Sequence, residues 1–248
     1  MVRNSRIAVA LALTVALGVT GIAYAGGGAS THQAFVDGQV TKKKKPKLSK
    51  KKFKKVDFNT GVRTTGGITG TQANPAAEKI SFGKNIKFKT GAAPKCTATL
   101  PNGSTPSQAR SLCPGKSFLG SGNAQVYGPG GPVDTTITVS AFNGPGNNQI
   151  RLHTYSDVLG PASPTVQGFI VNANEGKKYG KALSVPEAPE TAALMITQFD
   201  TDITKSSGVV TARCKAKKFL WKREVTYADN STDTATLSQK CKGKKKKK

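Results

Sequence analysis

Apolar residues along this chain recur at every second position far more often than at every third or fourth, and that spacing belongs to strands with one buried face. Val56, Phe58, Thr60 and Val62 share one face of an extended segment, and Ile80, Phe82, Ile86 and Phe88 share another. Further strands are predicted over 124–127, 133–142, 149–155, 166–173, 179–185, 192–203 and 209–214. The clearest runs through Phe219, Trp221, Arg223, Val225 and Tyr227, with Arg223 the single polar member of the inward-looking set. Asp229-Asn230 then offers a two-residue turn into a partner strand over 232–237. Gly and Pro cluster between the runs, at 128–132 and 143–146, where they punctuate strands; no helix follows them to make a phosphate loop. One short helix is predicted from Thr105 to Leu112, with Thr105 as cap and Pro106 in the first turn. Strands at this density imply an all-β fold, an antiparallel β-sandwich of jelly-roll or Ig-like class with one short helix. The immunoglobulin arrangement of Cys, Trp, Cys is missing, since Trp221 follows Cys214 by only seven residues.

The beginning of the chain reads as an export signal. Arg3 and Arg6 precede an apolar run from Ile7 to Ile22, and Ala23-Tyr24-Ala25 sets small residues where a signal peptidase reads. The run is too short for a membrane anchor, and glycines 26–28 follow it. The expected organisation is a signal peptide over 1–25, a flexible Gly-rich segment over 26–34, a sandwich domain over 35–241 that includes a basic connection 42–55, and a disordered polylysine tail over 242–248. No transmembrane span is expected after cleavage, and the product should be a monomer, secreted or peripherally attached to the cell envelope.

Charge sharpens this picture. The 248 residues hold 38 Lys+Arg against 13 Asp+Glu, a formal net charge of +25. Much of the excess sits in two short places, Lys42 to Lys55 and Lys240 to Lys248. An exported polycation meets anionic cell-wall or extracellular polymers, and nonspecific nucleic acid is a further partner of the same kind. The candidate contacts are Lys42, Lys43, Lys44, Lys45, Lys50, Lys51 and Lys52 in the first cluster and Lys244, Lys245, Lys246, Lys247 and Lys248 in the second. Lysine supplies point charge without the planar fork of arginine, so adhesion without shape selectivity is expected. Two plainer readings compete: lysines on an edge discourage aggregation, and a charged tail solubilises. The stretch KKKKPK imitates a nuclear import signal, which the export signal opposes.

An even cysteine count in an exported chain points to disulfides. Three connectivities are possible for Cys96, Cys113, Cys214 and Cys241; the preferred one joins Cys96 to Cys113 and Cys214 to Cys241, each closing a short loop worth about 3–4 kcal/mol on the chain-entropy account. A four-cysteine metal site lacks any C-x-x-C spacing.

Catalytic signals are sparse. Neither H-E-x-x-H nor G-x-S-x-G occurs. His32 lies in the Gly-rich segment; His153, opposite in facing to Ile150, Leu152 and Thr154, reads as a surface histidine with Asp157 the only acid nearby in sequence. Asp200 and Asp202 alternate on one strand face and Glu187 and Glu190 flank prolines, too few oxygens for calcium. Tyr127, Tyr155, Tyr179, Tyr227 and Trp221 could stack on sugar, but Trp221 and Tyr227 alternate with Phe219 and Val225 as a core row does. No catalytic residue, metal or cofactor is assigned. The leading expectation is noncatalytic adhesion to anionic polymers; the alternative is a secreted β-sandwich enzyme or carbohydrate-binding module acting on acidic polysaccharide.

The stretches LSKKKFKKV, ARSLCPGKSFLGSGNAQV, SAFNG and YADNSTDTATLSQKCKGKKKKK resemble those of an uncharacterised family of bacterial exported proteins with a β-rich body and a lysine-rich C-terminus. The likeness covers most of the mature chain and rests on short motifs. It implies export, disulfides and a sandwich, and it brings no reaction with it.

Overall fold

The structure is a computed structural model that describes residues 23–24, 33–41, 45–65, 75–128, 131–132, 136–160, 163, 165–186, 195–227 and 231–244. In chain order the strands are β1 (Ala23–Tyr24), β2 (Gln33–Val40), β3 (Lys47–Ser49), β4 (Lys54–Lys55), β5 (Phe58–Thr65), β6 (Pro75–Gly83), β7 (Ile86–Phe88), β8 (Phe118–Gly128), β9 (Gly131–Pro132), β10 (Ile137–Asn143), β11 (Gln149–Tyr155), β12 (Thr165–Asn172), β13 (Tyr179–Pro186), β14 (Met195–Ile203), β15 (Val210–Ala212), β16 (Lys218–Tyr227), β17 (Thr232–Lys240) and β18 (Lys242–Lys244). The one α-helix among the described residues is α1 (Pro106–Leu112), and no described helix is long and apolar enough to cross a membrane. The fold is all-β and antiparallel in its large sheet, as the alternating pattern predicts.

The large sheet follows the path β1-β17-β16-β6-β13-β12-β11-β10-β8-β14-β5-β2, with β9 beside β8. Its ends come together. On β17 the Asp233 carboxylate accepts from the Ala34 N–H of β2 at 2.7 Å, and Gln239 Oε1 accepts from the Val40 N–H at 2.8 Å. Side chains, rather than a backbone ladder, bridge this seam. The inner face then forms one core in which Phe58 stacks on Trp221 at 6.3 Å and meets Phe82 edge-on at 5.5 Å. Trp221 and Tyr227 belong to that core. Arg223 points the same way and is 1% exposed. Its Nη1 donates to the Arg63 carbonyl at 2.9 Å and to Thr64 Oγ1 at 3.1 Å, and its Nη2 lies 3.2 Å from the Glu78 carboxylate. The buried charge is thereby paired, and it ties β16 to β5 across the inside of the roll.

On the outer face a disulfide-closed flap covers β10 and β11. The Cys96–Cys113 bond closes it, Thr105 caps α1 in a capping box with Gln108, and Leu100, Ala109 and Phe142 make a separate small apolar cluster beneath it. This flap corrects one expectation. His153 does face away from Ile150 and Leu152, but the flap buries it to 1% exposure, so it is not a surface histidine.

Strands also differ from expectation in three places. The segment read as one strand through Ile80, Phe82, Ile86 and Phe88 is broken by a turn at Lys84–Asn85 into β6 and β7, which lie in different sheets. Gln33 and Ala34, expected in a flexible segment, already belong to β2. Lys242–Lys244, expected in a disordered tail, is the strand β18, paired in parallel with β3.

Candidate polyanion-binding site

Two small sheets at one end of the roll bring the basic segments together. In one, β15 is flanked by β4 and β7; in the other, β3 pairs with β18, Lys242 opposite Lys47 and Lys244 opposite Ser49. Backbone hydrogen bonds knit them into one surface. Cys214 N–H donates to Ser49 O at 2.9 Å, Arg213 N–H to Asn85 O at 2.9 Å, Cys241 N–H to Lys217 O at 2.8 Å and Lys242 N–H to Pro46 O at 2.9 Å. The Cys214–Cys241 disulfide fastens the last strand to the same place. Segments far apart in the chain thus share one pole, and none of 45–56, 84–89, 205–218 or 240–244 contains an acidic residue.

An open groove of about 540 Å³ runs through this pole, lined by Lys45, Lys50, Lys217, Lys218, Lys240 and Lys242 with Ala216, Cys241 and Gly243. Among the described residues none of these lysines forms an ion pair; the carboxylate contacts of lysine lie elsewhere, at Lys79 and Lys222. Two backbone ladders even set like charges opposite each other, Lys218 against Lys240 and Lys47 against Lys242. Such pairs destabilise a sheet. Beside the groove, Ser49 Oγ accepts from Lys51 and Lys52 N–H at 3.2 and 2.9 Å and bends the chain into a turn. Phe53 holds that turn down, with Lys87 Nζ 4.6 Å and Arg213 Cζ 4.5 Å from its ring centre.

Of the lysines singled out from sequence, Lys45 and Lys50 line the groove, Lys51 and Lys52 stand exposed beside it, and Lys244 ends β18. Lys42, Lys43, Lys44, Lys245, Lys246, Lys247 and Lys248 lie outside the described residues. Sequence reasoning missed Lys217 and Lys218, the groove's other wall, and its candidate contacts in the second cluster began at Lys244, past Lys240 and Lys242. Lys217 and Lys218 follow Cys214 in the spacing C-K-A-K-K, so the disulfide pairing was the signal that could have carried them to Lys240 and Lys242.

Other constellations offer less. Ser104 Oγ lies 2.9 Å from His153 Nε2, a pair that resembles a nucleophile with its base. Yet the Pro101 carbonyl, 2.7 Å from Ser104 Oγ, competes with Nε2 for the one hydroxyl proton. The donor and acceptor roles at Nε2 follow the imidazole tautomer, and among the described residues no carboxylate orients the ring. Burial lowers the His153 pKa, against a raising contact with the Pro101 carbonyl. Asp200 and Asp202 share the outer face of β14; Asp200 accepts from Gln198 at 2.7 Å and Asp202 from Asn59 at 3.2 Å. Burial raises the Asp200 carboxyl, and Asp37 and Asp202 add to that. No group of metal-ligating side chains occurs among the described residues. Glu187, Glu190, His32 and the Asp229-Asn230 turn lie outside them.

No protein-family model matches this chain, and no curated protein or solved structure matches it either. The site therefore stands on its own geometry: an all-β scaffold with a lysine-walled groove at one pole.

Proposed function

We propose that this is a noncatalytic exported protein, secreted or held at the cell envelope, whose lysine pole adheres to anionic polymers. The observation that carries the reading is the placing of like charges face to face in two ladders, Lys218 with Lys240 and Lys47 with Lys242, with no acid in the surrounding segments. Repulsion of that kind lowers stability, and a bound polyanion removes it. The export signal and the likeness to exported lysine-tailed proteins support the location. At about 1 kcal/mol for each lysine held near an anionic surface, the groove's lysines correspond to a dissociation constant on the order of tens of micromolar. Such binding weakens steeply with salt.

The test is retention of the signal-free chain on isolated envelope and on polyanion beads across a salt gradient. Lys217→Gln with Lys240→Gln should elute at clearly lower salt than the parent. A parent chain that flows through both matrices at low ionic strength sinks the reading. Thermal melts add a second readout, since a soluble polyanion should raise the melting temperature of the parent more than that of the double variant.

A further inference from the structure

The chain contains two Asn-Gly dipeptides, Asn102-Gly103 and Asn143-Gly144, and the fold treats them in opposite ways. Asn143 is 1% exposed, and its Nδ2 faces the carbonyls of Thr90, Ala93 and Pro94 at 3.0, 2.8 and 3.1 Å. The neighbouring Gly144 N–H donates to Gln149 O at 2.8 Å. Both reacting partners of that dipeptide are engaged. Asn102, by contrast, is exposed at the tip of the flap, in a turn closed by Ser104 N–H donating to Pro101 O at 3.2 Å. Gly103 has a φ of +73°, the left-handed conformation a type II turn demands at that position. Among the described residues neither the Asn102 amide nor the Gly103 N–H has a hydrogen-bond partner.

We infer that Asn102 is a site of spontaneous deamidation, a covalent modification that the fold permits there and forbids at Asn143. Asparagine is a thermolabile residue, and glycine after it leaves the attacking nitrogen unhindered. The Gly103 nitrogen attacks Asn102 Cγ and forms the new C–N bond of a succinimide. Nδ2 departs as ammonia, taking up the proton that the Gly103 nitrogen loses. Water then opens one or the other imide carbonyl, which leaves aspartate or, with the backbone rerouted through the side chain, isoaspartate. The second product lengthens the turn by one methylene. Ser104 is the next residue of that turn and touches His153 at 2.9 Å, so the rerouted backbone takes this contact apart.

The experiment is an ageing series. The purified full chain is held for weeks at neutral pH, native and in denaturant, and proteolytic peptides are mapped by mass and by enzymatic methyl labelling of isoaspartate. The native protein should convert at position 102 and keep the amide at position 143, whereas the denatured chain should convert at both. Asn102→Gln should abolish the native signal, and Gly103→Ala should slow it by about tenfold, because a Cβ crowds the attacking nitrogen. Conversion at 143 as fast as at 102 in the native protein overturns the inference. So does an amide at 102 that survives in the native protein while the denatured chain converts.

Discussion

Lys217 shows how a single residue can serve the groove at the expense of the fold. It holds a φ of +62°, where the Cβ of an L-residue costs about 1–2 kcal/mol. Lys217→Gly relieves that crowding, offset by roughly 0.5–1 kcal/mol of extra chain entropy. Stability should therefore stay level or rise by up to about 1 kcal/mol, while affinity for a polyanion falls roughly fivefold with the loss of one cation. Denaturant melts and binding titrations on one preparation read both. Glu175 works in the other direction. Burial alone would raise its carboxyl, but the Ser81 hydroxyl and the ammonium groups of Lys222 and Lys79 outweigh burial and hold it at about 2. Lys222 Nζ lies 2.9 Å and Lys79 Nζ 3.0 Å from its oxygens. A carboxyl depressed in the folded state contributes stability that is full above the ordinary value of 4.5 and is lost as pH falls from there to about 2. Melting curves over that acid range should lose part of their slope in Glu175→Gln.

Among elements, β18 depends most on what surrounds it. It is three residues long and has β3 as its strand partner and the Cys214–Cys241 bond as its anchor. Replacing both cysteines by serine should cost about 3–4 kcal/mol by the loop-entropy account. It should also weaken polyanion binding although no lysine has changed, because β18 with Lys242 loses its covalent tie to the segment that leads into Lys217 and Lys218, while the β16–β17 ladder still holds Lys240 opposite Lys218. Equal affinity in titrations of the folded double variant would mean that the assembled groove is not the binding unit. Elements also show where sequence reading succeeds. The row from Phe219 to Tyr227 is legible because large buried side chains alternate with half-buried ones. β2 is not, since Asp37-Gly38 looks like a turn; the pair stays extended in the ladder with β5, opposite Gly61 and Thr60, and residue 38 is glycine where the indole of Trp221 fills the space a side chain would need. The first half of β8 hides for a related reason, its Gly120 and Gly122 bearing no side chain to mark a face. At the site, the lysine runs are plain in the sequence, but their meeting needs pairing between residues 47–49 and 242–244, which no local pattern encodes.

At the scale of the whole molecule, the sheet closes on itself without a continuous ladder, through Asp233 and Gln239 reaching the backbone of β2. Trp221 lies just inside this closure, fully buried against Gly38. A methyl group built on Gly38 would stand 2.4 Å from the indole ring, so Gly38→Ala should destabilise the protein by about 1–3 kcal/mol through overpacking, measured by urea unfolding. Trp221 is also the single tryptophan of the chain. The molecule therefore carries its own fluorescent gauge: any parting of β2 from β17 admits solvent beside that indole, and a red shift in emission would announce the opening before the remaining strands let go.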